Sequence, residues 1–99
     1  MKRILFGCDA GGEDPIWEEG EPVRRTWPLP VSEETRAAIL HWNDRMSAVV
    51  AAPETFDPAE LPAIRRRLNE EGEALAARLN REHRRVAVVR YLPETELHV

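Results

Sequence analysis

VAVVRYL, residues 86–92, is the stretch on which the fold turns. β-Branched and aromatic residues dominate it and Pro93 stops it, so it reads as a strand. Its near-continuous apolar run predicts burial on both faces. A strand at this end of the chain needs a partner. The best one lies at the other end, where residues 3–8 carry Ile4, Leu5 and Phe6 before Gly11 and Gly12 break the run.

Between them lie two helical patterns. Ser32 is a good N-cap, and Glu33 and Glu34 fall in the first turn, where the helix dipole favours acids. Ile39, Trp42, Met46, Val49 and Val50 then recur on one stripe, and Pro53 ends the helix after Ala51 and Ala52. Asp57-Pro58-Ala59-Glu60 has the residues of a capping box, but Pro62 cannot donate to the carbonyl of Pro58. The regular second helix is therefore expected from Pro62, after a separate turn. Ile64, Leu68, Gly72, Leu75, Ala76 and Leu79 keep its period to about residue 84. Gly72 costs about 1 kcal/mol against alanine. Its place on the apolar stripe predicts close approach of another element.

Residues 9–31 form a long acidic, proline-rich loop with Pro15, Pro22, Pro28 and Pro30. Within it residues 23–27, VRRTW, have the propensity of a short edge strand. Trp17 and Trp27 are expected to fasten the loop to the body. The order β, long loop, α, α, β predicts a single α+β domain over residues 1–99. A small sheet holds the first strand, the last strand and a possible edge strand, with two helices packed on one face. Two strands alone are marginal. Either the loop supplies a third, or a second copy of the chain completes the sheet, which makes a homodimer one expectation.

Charge narrows the function. The 99 residues are 42% hydrophobic and 32% charged, with a net charge of −4. No apolar run approaches the ~20 residues of a membrane span, and MKRILFGCDA is not a signal peptide. A single cysteine fits a reducing cytoplasm. Residues 9–22 hold Asp9, Glu13, Asp14, Glu18, Glu19 and Glu21 without one base. Residues 65–90 are rich in arginine, but Glu70, Glu71, Glu73 and Glu82 interleave with it, and a pI near 5.4 argues against nucleic acid.

Catalytic patterns are weak. Cys8 and Asp9 close a strand ahead of a Gly-rich turn, yet the acids beside Cys8 disfavour a thiolate. The glycines lack the lysine of a phosphate loop. The acids do not follow an EF-hand, and the three histidines and one cysteine make no zinc spacing. His41 is expected at the surface. No catalytic residue, metal or cofactor is assigned. A tryptophan among carboxylates does resemble a protein-binding hot spot, so the candidate partner-binding residues are Glu13, Asp14, Trp17, Glu18, Glu19 and Glu21.

LFGCDAGGEDPIWEEG, WPLPVSEETRAAILHWNDRM and EEGEALAARLNREHRRVAVVRY together resemble a group of small bacterial proteins of unassigned function, familiar from GC-rich actinobacterial genomes. The resemblance implies a fold more than an activity, and no functional residue carries over from it. The leading expectation is a non-enzymatic interaction module of the bacterial cytoplasm, in its most concrete form an immunity-type inhibitor that offers the acidic loop to a basic protein partner. The alternatives are a small enzyme or ligand-binding domain centred on Cys8 and Asp9, and a homodimeric structural protein.

Overall fold

The computed structural model describes residues 1–21 and 27–94. Strand β1 (Lys2–Phe6) is central. Strand β2 (Ile16–Glu18) pairs with it antiparallel, with Leu5 opposite Trp17, and strand β3 (Ala87–Tyr91) pairs with it parallel, with Ile4 opposite Val89. The two connections differ because the pairings demand it. An antiparallel neighbour can return through a short loop, whereas a parallel one needs a long crossover. That crossover is the pair of helices α1 (Glu33–Ala51) and α2 (Leu61–Glu82). The fold is thus a small α+β domain with a three-stranded mixed sheet.

Ser32 caps α1 as expected, its Oγ accepting the Thr35 N–H at 3.3 Å. The helix ends at Ala51, ahead of a single 3-10 turn at Pro53–Thr55. The α2 helix begins at Leu61, one residue before Pro62, and residues 58–60 form the separate turn. The helices run antiparallel. Thr35 donates to Glu82 at one end, and Arg45 pairs with Glu71 towards the other.

All of the sheet's inward residues meet the helices. Ile4, Phe6, Ile16, Ala87, Val89 and Tyr91 are buried against Ile39, Trp42, Met46, Val49, Leu68, Leu75 and Leu79. At the centre, the rings of Phe6, Trp42 and Tyr91 pack with centroids 4.7–5.8 Å apart, in tilted and edge-on arrangements that suit aromatic pairs. The Trp42 indole N–H donates to the Leu68 carbonyl at 2.8 Å, which satisfies its one polar atom inside the core. Gly72 is the close approach that its place in the sequence predicts. A Cβ there would stand 2.4 Å from the Tyr91 ring, so only glycine admits it.

Two expectations are corrected. The last strand is buried on one face, not both: Val88 is 52% exposed and Arg90 is exposed, while Ala87, Val89 and Tyr91 are buried. With helices on one side of the sheet only, the run of valines alternates in environment although not in hydropathy. Val86 lies before the strand and is 53% exposed. Val50 belongs to the outer side of α1 at 38% exposure, one residue beyond the buried Val49. The third strand is supplied by the acidic loop, as one of the two expectations had it, through Ile16–Glu18. The edge strand expected at residues 23–27 lies outside the described residues save for Trp27, which is not in a strand.

Two asparagines of α2 bond β3 and the chain just after it. Asn80 accepts the Val89 N–H at 2.7 Å and donates to the Val89 carbonyl at 2.8 Å. Asn69 accepts the Tyr91 hydroxyl at 2.6 Å and the Glu94 N–H at 2.9 Å, and donates to the Glu94 carbonyl at 2.7 Å. An open strand edge is a template for pairing with another chain, and the Asn80 amide stands where a neighbouring strand would at Val89.

Candidate functional site

The acidic segment is a hairpin arm fixed from below. β1 ends at Phe6 and the chain turns through residues 7–15, with the Gly7 N–H bonded to the Pro15 carbonyl at 2.9 Å. Within it is a reverse turn, in which the Gly12 N–H meets the Asp9 carbonyl at 3.0 Å and Gly11 takes φ +78°, a conformation that side chains resist.

Asn43 of α1 holds this turn. Fully buried, it accepts the Asp9 N–H at 2.8 Å and donates to the carbonyls of Asp9 at 3.1 Å and Gly12 at 2.9 Å. The Ser47 hydroxyl adds a longer bond to the Asp9 carbonyl at 3.4 Å. Trp27 fixes the next residue, its indole N–H donating to the Glu13 carbonyl at 3.1 Å, and the Arg36 guanidinium lies 4.1 Å over its ring. Trp27 therefore fastens the loop, as the sequence leads one to expect.

The carboxylates divide by role. Asp9 is half-buried, and its Oδ2 accepts the Asp14 N–H at 3.0 Å, so its charge is spent on the turn. Glu13, Glu19 and Glu21 are exposed, and Asp14 and Glu18 are half-buried. Trp17 sits opposite Leu5 on the sheet face turned away from the helices, its ring reaching towards Gly7. Arg3, Glu19, Val88 and Arg90 border a shallow depression of about 500 Å³ on that same face. The structure thus gathers Trp17 and Glu19 onto the open face and leaves Glu13 on the preceding turn.

Cys8 is half-buried just beyond β1, with its Sγ 3.6 Å from the Ser47 hydroxyl. Burial pushes the thiol above its ordinary value, Ser47 opposes this, and the charges of Glu94 and Asp9 add to it. A thiol so placed is a poor nucleophile at neutral pH. His41 is exposed on α1, as expected. Among the described residues no three His, Cys, Asp or Glu side chains stand together as metal ligands, and no helix is long and apolar enough to cross a membrane.

Sequence reasoning missed Asn43, Ser47, Asn69 and Asn80. A signal exists for Asn43, because a mediocre helix former interrupts the apolar stripe between Trp42 and Met46, and a buried amide needs partners. Nothing local says that those partners lie 34 and 31 residues away. No family model, curated protein or solved structure matches the chain.

Proposed function

We propose that the chain is a protein-interaction module, without catalytic activity of its own, that presents the arm of residues 13–21 to a basic protein. The observation that carries this reading is the setting of Trp17. It is half-exposed on the open sheet face, Glu18 and Glu19 follow it, and the turn before it is pinned by Asn43 and Trp27. A tryptophan on a rigid frame offers contact area at little cost in conformational entropy, and the carboxylates around it steer a cationic partner. An immunity-type inhibitor of the bacterial cytoplasm, covering a cationic enzyme site, is the concrete form of the proposal. The raised thiol at Cys8 and the engagement of the Asp9 carboxylate by the Asp14 N–H support it over chemistry at that pair.

The test is calorimetric titration against the purified product of the adjacent reading frame, at low and at physiological salt. Replacing Asp14, Glu18 and Glu19 together by serine is expected to weaken binding at least tenfold and to remove most of its salt dependence. Unchanged affinity in the triple variant refutes the role of the arm.

A further inference from the structure

Between α1 and α2 lies a groove of about 420 Å³. Its floor is Val49 and Leu68, and Ala48, Phe56 and Ile64 form its walls. Phe56, which follows the 3-10 turn, and the Arg45–Glu71 ion pair, which bridges the two helices, also line it. That volume lies in the range of pockets that enclose small molecules, about 300–1,000 Å³.

The groove is lined by charged as well as apolar residues. Arg45, Arg67 and Glu71 are its charged lining residues, two cations against one carboxylate. Glu71 is engaged by Arg45, so the uncompensated charge at the rim is the Arg67 guanidinium, which has no acidic partner among the described residues. Phe56 contributes apolar surface only. We infer that the groove binds a small amphiphilic carboxylate, its acyl chain or ring lying on Val49, Leu68 and Phe56 and its carboxylate at Arg67. A neutral apolar molecule gains the same burial but forgoes the ion pair. A cationic amphiphile meets repulsion.

The probes are octanoate and 1-octanol, titrated into the whole protein and followed by the methyl resonances of Val49, Ile64 and Leu68. Octanoate is expected to shift these methyls saturably and to bind tighter than octanol. Arg67→Gln is expected to weaken octanoate by about threefold to fivefold, the worth of an exposed ion pair, and to leave octanol unchanged. Ala48→Leu, at an exposed helical position, fills the groove and abolishes both. Equal binding of the two probes overturns the assignment of a carboxylate. The absence of a saturable shift at these methyls, or binding that survives Ala48→Leu, overturns the site.

Discussion

Gly72→Ala reverses a familiar rule. At an open helix position the change stabilises by about 1 kcal/mol, because alanine loses less backbone entropy on folding. Here the new Cβ would lie 2.4 Å and 2.5 Å from Cε1 and Cζ of Tyr91 and 2.8 Å from its oxygen. Ordinary contact begins at 3.4 Å, so the ring or the helix must retreat by about 1 Å. Tyr91 has little room to move. It is 6% exposed, it packs against Phe6 and Trp42 with centroids at 5.6 and 5.8 Å, and its hydroxyl is tied to Asn69. Overpacking costs about 1–3 kcal/mol and a strained Tyr91–Asn69 bond about 1 more, against the gain of about 1 in helix propensity. The net expectation is destabilisation by about 1–3 kcal/mol, with each kcal/mol lowering Tm by roughly 4–8 °C in a domain of this size.

Urea unfolding followed by circular dichroism measures the change directly. The Tyr91→Leu background supplies the control. With the ring gone, alanine at 72 should regain its ordinary stabilising sign, so the two substitutions couple strongly. If Gly72→Ala alone is as stable as the parent, the close approach does not constrain the core and the reasoning fails.

Three further outcomes are expected. Asn43→Ala leaves the Asp9 N–H and two carbonyls without their amide partner, at a cost of about 2–4 kcal/mol in urea unfolding, and amide exchange of residues 9–14 should accelerate well before that of β3. Exchange rates that rise equally everywhere would deny Asn43 a local role. Stability should also fall in alkali. The Cys8 and Tyr91 groups are raised, chiefly by burial, above ordinary values of 9.0 and 10.0. The unfolded chain therefore loses these protons first. The stabilisation is complete below those values and declines as pH rises through the folded ones. Tyr91→Phe should flatten the upper part of that decline, and Cys8 should resist thiol reagents at pH 8 until urea is added. Rapid labelling of the folded protein would contradict its burial.

Much of the fold is legible because its signals are short-range. Ser32, Glu33 and Glu34 start α1 through bonds and charges within one turn, and Pro53 ends it by backbone chemistry alone. Ile39, Trp42 and Met46 declare a buried face through spacing. Gly72 announces a close approach because a glycine on an apolar stripe needs a reason. The candidate arm is legible as composition, in Trp17 and the acids beside it. Its rigidity is not, because Asn43 reaches it from another element.

The sequence by itself determined two helices, a first and a last strand, and the helical faces that meet the sheet. These follow from propensity, capping and period, which act within a few residues. Only the tertiary structure decided that Ile16–Glu18 supplies the third strand, that Val88 faces outward while Val89 is buried, and that Asn80 occupies the outer edge of β3 at Val89. It also decided that the Asp9 carboxylate serves a turn while Glu13 and Glu19 remain exposed. Each of these depends on a partner distant in the chain. Which face of a valine run is covered depends on where the helices pack, and which amide finds a strand edge depends on how α2 lies along it.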